Sequence, residues 1–138
     1  MDATATLREV EAIRTALLIE DNADVAYLLR YMLQRDGFAV ITQTNGRDAQ
    51  RYIAESPPPE IVLLDLMLPY IDGFELLTGI RESKTWCDVP VVVVSGKVTE
   101  RDIVRAIELG ANDYVTKPYK PLELSARIAR WTRRTENG

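Results

Sequence analysis

Apolar residues along this chain follow two alternating patterns, short continuous runs and longer stretches with helical spacing. The short runs are rich in Val, Ile and Leu, and they predict five β-strands at residues 16–19, 38–42, 61–64, 91–94 and 113–116. The third and fourth runs are apolar at every position, which is typical of parallel strands covered on both faces. The pattern therefore predicts a buried parallel sheet.

Helical spacing fills the stretches between the predicted strands. Between the first two strands, apolar residues recur at i, i+3, i+4, i+7 and i+8, and Gly37 can serve there as a C-cap. Further helices are predicted over residues 47–55, from near Gly73, over 99–109 and from Pro121. The apolar side chains expected to face the sheet from the first, second and last helices are Val25, Leu28, Leu29, Met32, Leu33, Ala49, Tyr52, Ile53, Leu124, Ile128 and Trp131.

The alternation of strands and helices predicts an α/β fold with a doubly wound parallel sheet. Because crossovers between parallel strands are right-handed, five such units fit the flavodoxin-like (βα)5 arrangement with strand order 2-1-3-4-5. The 138 residues suffice for one domain, which is expected to span residues 15–134. Residues 1–14 would form an N-terminal extension, with Leu7, Val10 and Ile13 spaced as in a short amphipathic turn, and residues 135–138 would form a C-terminal tail.

Composition and charge argue against nucleic acid and membranes as direct binding partners. A formal charge of −4 and a pI near 4.9 give no overall field that attracts phosphate backbones, so direct nucleic-acid binding is not expected. Arg127, Arg130, Arg133 and Arg134 are interpreted as a solvated helix face at the negative end of the helix dipole. The single cysteine, Cys87, excludes an intramolecular disulfide and favours a cytoplasmic protein. The charged residues and the missing apolar stretch at 1–14 argue against a signal peptide, and no apolar run approaches the ~20 residues of a membrane span, so membrane insertion is not expected.

Polar and charged residues follow four of the predicted strands. In an open α/β sheet the binding crevice lies at the carboxyl ends of the strands, and the residues at those ends are Glu20, Asp21, Asp65, Ser95 and Lys117. Singly, each has a structural explanation, since Asp21 or Asn22 can cap the first helix, Asp65 can begin a turn and Lys117 can be a solvated charge. Three carboxylates at one edge, however, repel one another unless a cation neutralises them. Mg²⁺ prefers such oxygen ligands, so the sequence predicts a magnesium site.

Four segments at this edge have a more specific character. They are the pair Glu20-Asp21, the segment DLMLPYIDG at 65–73, the step Ser95-Gly96 and the segment ANDYVTKP at 111–118. In order and spacing they resemble the receiver domain of bacterial response regulators, and the resemblance extends from residue 16 to residue 133. It implies a signalling module of a two-component system or phosphorelay that catalyses only its own phosphotransfer and autodephosphorylation and is not otherwise an enzyme.

The resemblance implies a role for each residue in the chemistry. Asp65 would be the nucleophile that becomes an aspartyl phosphate. Asp21, Asp65 and the main-chain carbonyl of Met67 would bind Mg²⁺, and Glu20 would assist through a water molecule. Lys117 would be the cation for the phosphoryl oxygens, aimed inward by the cis X-Pro bond that follows it.

The resemblance also implies a conformational change on phosphorylation. Ser95 would donate its hydroxyl to the phosphoryl group, and Tyr114 would turn inward into the space that this movement vacates. The surface of the fourth helix, fifth strand and fifth helix would then change and bind a partner or a second copy, as a phosphorylation-dependent homodimer. Because the chain contains no histidine, the donor would be a sensor histidine kinase or a histidine phosphotransfer protein. A stand-alone regulator and a fragment of a longer protein with an output domain both fit the sequence.

Four alternative assignments fit the sequence less well. A flavodoxin needs a hydroxyl-rich phosphate loop after the first strand, where this chain has two acids. A haloacid-dehalogenase-like phosphatase needs a second Asp where this chain has Met67. A P-loop nucleotidase is disfavoured because Gly96-Lys97 is followed by Val98 and the earlier glycine is absent. A pseudo-receiver used only as a scaffold is disfavoured because every residue implied in phosphorylation is present.

Overall fold

A computed structural model describes residues 14–132, in which strands and helices alternate. Leu7, Val10, Ile13, Arg133, Arg134 and the tail at 135–138 lie outside the described residues, and the domain limits stay a prediction. The elements are β1 (Arg14–Ile19), α1 (Ala23–Arg35), β2 (Phe38–Gln43), α2 (Gly46–Glu55), β3 (Ile61–Leu64), α3 (Gly73–Glu82), β4 (Val91–Ser95), α4 (Glu100–Glu108), β5 (Asp113–Thr116) and α5 (Pro121–Thr132).

The five strands form one sheet with the order β2-β1-β3-β4-β5, which confirms the predicted flavodoxin-like topology. All four strand pairs are parallel. Ile19 pairs with Leu64 and Ser95 pairs with Thr116, so the carboxyl ends of these strands meet at one edge of the sheet. No helix within residues 14–132 is long and apolar enough to cross a membrane.

Helices cover both faces of the sheet. Alternate residues of β1 face opposite sides, so that Leu17 and Ile19 pack with α2, α3 and α4 while Ala16 and Leu18 pack with α1 and α5. The strands β3 and β4 are buried along their whole length, as their continuous apolar runs predict. One expected core position is wrong, because Leu28 is 57% exposed.

N-terminal caps fix where α1 to α4 begin, and so where the loops at the carboxyl edge of the sheet end. The side chains of Asn22, Asn45, Asp72 and Thr99 each accept a backbone N–H from the third residue that follows, at the starts of α1 to α4. The cap of α1 is therefore Asn22, and Asp21 is not used as a cap. The exposed Asp21 carboxylate remains available at the strand edge.

One arginine ties the opposite, amino-terminal part of the sheet together. Arg81, in the last turn of α3, donates hydrogen bonds of 2.7–3.0 Å to the carbonyls of Cys87, Val89 and Gly110 and to Oδ1 of Asn112. These acceptors belong to the segment before β4 and to the turn before β5. The guanidinium therefore satisfies backbone groups that the sheet ladder leaves unpaired.

Candidate functional site

The strand ladder brings three carboxylates together. The backbone N–H of Asp65 donates to the carbonyl of Ile19 over 3.0 Å, which places the end of β3 beside the end of β1. As a result, Glu20, Asp21 and Asp65 each offer a carboxylate oxygen within 4.8 Å of the others. Glu20 is only 1% exposed and Asp65 only 5%, whereas Asp21 faces solvent. The predicted acidic cluster is thus formed, with two of its members almost buried.

Lys117 supplies a positive charge to this cluster. Its Nζ lies 2.5 Å from Oε1 of Glu20 and 3.1 Å from Oδ2 of Asp65. The backbone N–H of Lys117 bonds to the carbonyl of Ser95 over 2.9 Å, so β4 and β5 hold the lysine at the edge. The bond between Lys117 and Pro118 is cis, as expected from the sequence.

Burial and ion pairing shift the pKa values of Glu20 and Lys117. Burial raises the pKa of Glu20 above its usual value, and the nearby Asp65 adds to this effect, although the hydrogen bond from Lys117 opposes it. Burial alone would lower the pKa of Lys117, but the hydrogen bond to Glu20 and the charges of both carboxylates outweigh it and raise that pKa. Lys117 is therefore charged at neutral pH.

Ser95 and Tyr114 meet at the loop between β4 and α4. The fully buried Ser95 accepts the backbone N–H of Lys97 at its Oγ over 3.3 Å. The hydroxyl of the half-buried Tyr114 donates to the carbonyl of Lys97 over 2.6 Å. Tyr114 is thus tied to this loop, and its rotation on phosphorylation stays a prediction.

An open cleft lies beside the acidic cluster, lined by Asp21 and by the residues that follow Asp65 in the chain. It has a volume of about 460 Å³, and its lining includes Asp21, Met67, Lys97 and Arg105. The backbone N–H of Met67 donates to Oδ1 of Asp65 over 3.1 Å, and the Met67 side chain is 56% exposed. The carboxylate of Asp65 is therefore held by hydrogen bonds to both oxygens, with a thioether at the entrance.

Sequence reasoning missed the contribution of main-chain groups. Both the N–H and the carbonyl of Lys97 bind site residues, and the N–H of Asn22 donates to Oε2 of Glu20 over 3.2 Å. Such contacts do not depend on the type of side chain, so no sequence signal marks them. The interpretation of Arg127 as a solvated cation is also incomplete, because it pairs with Asp113 and Glu123.

A parallel α/β sheet with three acids, a hydroxyl and a lysine at its carboxyl edge is the arrangement of a receiver-type signalling domain. The sequence profile of the response regulator receiver domain matches residues 16–129 of this chain. The chain belongs to the response regulator receiver domain family, as its motifs predict.

Individual relatives agree with this assignment. The alkaline phosphatase synthesis transcriptional regulatory protein PhoP of Bacillus subtilis is 39% identical over 120 residues, which cover 87% of this chain and 49% of PhoP. The chain thus spans about half the length of PhoP.

Solved structures share the fold over nearly their whole length. A receiver domain of a histidine kinase from Syntrophus aciditrophicus has a TM-score of 0.81 at 27% identity, covering 91% of this chain and 94% of that one. The receiver domain of the sensor histidine kinase PA1611 from Pseudomonas aeruginosa has a TM-score of 0.80 at 29% identity, covering 88% and 99% of the two chains. That structure has a magnesium ion coordinated in its active site cleft.

Proposed function

We propose that this chain is the phosphoacceptor of a cytoplasmic two-component system or phosphorelay, with Asp65 as the residue that is phosphorylated. The observation that carries the proposal is the position of Asp65, which is almost buried at the carboxyl edge of the sheet with Lys117 Nζ 3.1 Å from its Oδ2. An oxygen of Asp65 attacks the phosphorus of a partner's phosphohistidine, the P–N bond breaks, and the imidazole leaves with the bonding electrons. Lys117 balances charge on the phosphoryl oxygens.

The acidic cluster fits a hard divalent cation, because three carboxylates offer oxygens within 4.8 Å of one another while the Lys117 ammonium group pairs with only two of them. Asp21, Asp65 and the main-chain carbonyl of Met67 would hold Mg²⁺, with Glu20 assisting through a water molecule. The ion supplies charge neutralisation for phosphoryl transfer when bound. Asp21→Ala should weaken Mg²⁺ binding at least tenfold in a fluorescence or NMR titration, and equal binding by the variant would contradict this ligand set.

Phosphorylation acts on the rest of the domain through Ser95. A phosphoryl group on Asp65 carries up to two negative charges and offers Ser95 a charge-assisted hydrogen bond. Because the Ser95 hydroxyl and Tyr114 both contact Lys97, this bond pulls on the β4–α4 loop and on Tyr114. The surface of α4, β5 and α5, where Val104 and Ile107 are 44% and 47% exposed, then changes for a partner or a second copy.

The phosphoacceptor assignment is tested with acetyl phosphate and Mg²⁺. Intact-mass measurement should show one added phosphoryl group on the parent and none on Asp65→Asn, which keeps the shape but loses the nucleophile. Asp88→Asn, an exposed position before β4 at the opposite edge, is the matched control and should be modified like the parent. A parent that stays unmodified with acetyl phosphate and with histidine kinases would leave only the scaffold role of a pseudo-receiver.

A further inference from the structure

The loop between β3 and α3 contains an unusual aromatic residue. Tyr70 has a φ of 72°, and it is the one non-glycine residue with a positive φ within residues 14–132. A bulky side chain in this region is strained, and Gly or Asn would adopt the conformation more easily. Tyr70 is also 72% exposed, so burial of its ring does not compensate for the strain. Its presence therefore calls for a reason outside the stability of the fold.

Arg47 lies over the ring of Tyr70. The central carbon of its guanidinium is 4.3 Å from the ring centroid, and Arg47 is the second residue of α2. Within residues 14–132 the guanidinium has no carboxylate or carbonyl partner. A guanidinium stacked on a ring keeps its N–H edge available for a planar acceptor such as a carboxylate. The Tyr70–Arg47 pair thus presents to solvent an aromatic ring and the N–H groups of a guanidinium.

The pair is held in place relative to the phosphorylation site. The N–H of Gly46 donates to the carbonyl of Pro69 over 3.1 Å, and a Cβ at Gly46 would lie only 1.9 Å from the carbonyl oxygen of Ile71. The start of α2 therefore packs directly on the backbone that flanks Tyr70. At the other end of the loop, a Cβ at Gly73 would lie 2.6 Å from the carbonyl oxygen of Asp65. Both close approaches require glycine, and together they fix Tyr70 and Arg47 beside the cleft.

We propose that Tyr70 and Arg47 form a docking point for the protein that donates the phosphoryl group. Arg47 would bind a carboxylate of the donor, and the Tyr70 ring would contact an apolar side chain near the donor's phosphohistidine. This inference rests on the proposed function of Asp65. Asp65 is only 5% exposed, so a histidine on a macromolecule reaches it only if the donor contacts the rim. Pro69 lines the cleft together with Met67, and it is followed in the chain by Tyr70 and hydrogen-bonded to the start of α2, so the pair lies next to that rim.

The two kinds of phosphodonor separate this docking role from the chemistry. The protein donor is the purified, autophosphorylated histidine kinase that phosphorylates the parent fastest in a screen, and the small donor is acetyl phosphate. Tyr70→Gly and Arg47→Gln should each lower kcat/KM for the kinase about tenfold, mainly through KM, with the acetyl phosphate rate unchanged. The double variant should be little worse than either single variant, because the two side chains act as one unit.

Two matched variants control for side effects. Arg51→Gln removes an exposed arginine one turn further along α2 and should transfer like the parent. Tyr70→Asn keeps a residue that tolerates positive φ and should show the same loss as Tyr70→Gly. The docking role is overturned if the Tyr70 and Arg47 variants accept the phosphoryl group from the kinase at the parental rate. It is also overturned if they lose the acetyl phosphate reaction to the same extent, because the defect would then lie in the site. A parent that neither donor phosphorylates would instead refute the proposed function.

Discussion

The ion cluster at the sheet edge makes a quantitative prediction for Lys117→Met. Methionine keeps much of the length of the lysine side chain but removes the ammonium group that contacts Glu20 and Asp65. Both carboxylates are nearly buried, at 1% and 5% exposure, so water cannot replace the lost partner well. The variant therefore keeps two close negative charges in a poorly hydrated site.

The size of the effect follows from the distances. At 2.5 and 3.1 Å and an effective dielectric constant of about 20, the two attractions amount to roughly 5 to 7 kcal/mol each before desolvation is subtracted. Removing one partner of a buried ion pair typically costs 3–5 kcal/mol. Glu20 can limit the loss by taking up a proton, because burial already raises its pKa. We therefore expect Lys117→Met to lose about 3 kcal/mol of unfolding free energy at pH 7 without Mg²⁺.

Mg²⁺ should reverse part of this loss. A ligand that binds only the folded state stabilises it by RT ln(1 + [L]/Kd), so 10 mM Mg²⁺ with a Kd of ~1 mM would add about 1.4 kcal/mol to the parent. The gain should be larger in Lys117→Met, where no ammonium group competes for the carboxylates. Urea unfolding followed by the fluorescence of the fully buried Trp86, with and without Mg²⁺, measures both quantities. Parental stability without Mg²⁺, or a Mg²⁺ gain no larger than the parent's, would refute the electrostatic reasoning.

Three further predictions follow from other contacts. Arg81→Met should lower the unfolding free energy by about 3 kcal/mol in urea titrations, because it leaves several backbone carbonyls without donors; a loss below 1 kcal/mol would contradict the bracing role. Burial raises the pKa of Glu20 in the folded state, so between its unfolded-state and folded-state pKa values the folded state binds a proton that the unfolded state has lost. Protonation of Glu20 therefore stabilises the fold at low pH, and this stabilisation is lost as pH rises through the folded-state pKa. Glu20→Gln should remove that part of the pH dependence. If the curves of unfolding free energy against pH were parallel for the parent and the variant, this contribution of Glu20 would be excluded. Ser95→Ala should remain phosphorylatable but lose the NMR shifts that beryllofluoride, an acyl-phosphate mimic, induces at Tyr114 and α4; identical shifts in both proteins would contradict the coupling.

The sequence predicted the site through the geometry of the parallel sheet. Continuous apolar runs identified β3 and β4, and right-handed crossovers then allowed few topologies. In the resulting sheet the ends of β1, β3, β4 and β5 share one edge. Residues far apart in the chain, such as Asp65 and Lys117, could therefore be placed at the same edge, where Lys117 Nζ lies 3.1 Å from Oδ2 of Asp65.

Features that depend on local conformation could not be predicted in the same way. Helical spacing places Leu28 on the apolar stripe of α1, but it does not show how far the neighbouring elements cover that stripe. Asp21 and Asn22 are both good capping residues, and only the backbone geometry decides that Asn22 accepts from Val25. The left-handed conformation of Tyr70 opposes the preference of its own side chain, so a sequence pattern would place it in an ordinary turn.

The charges at the site also indicate why phosphorylation and cation binding should act together in the proposed reaction. Before transfer, Lys117 is shared between Glu20 and Asp65. A phosphoryl group adds negative charge on the Asp65 side and draws the ammonium group toward it. Glu20 is buried and its pKa is raised. Once the ammonium group of Lys117 moves away, the Glu20 carboxylate would need either a proton or a nearby divalent cation. The same burial that makes the unphosphorylated cluster costly thus favours the cation once the phosphoryl group is in place.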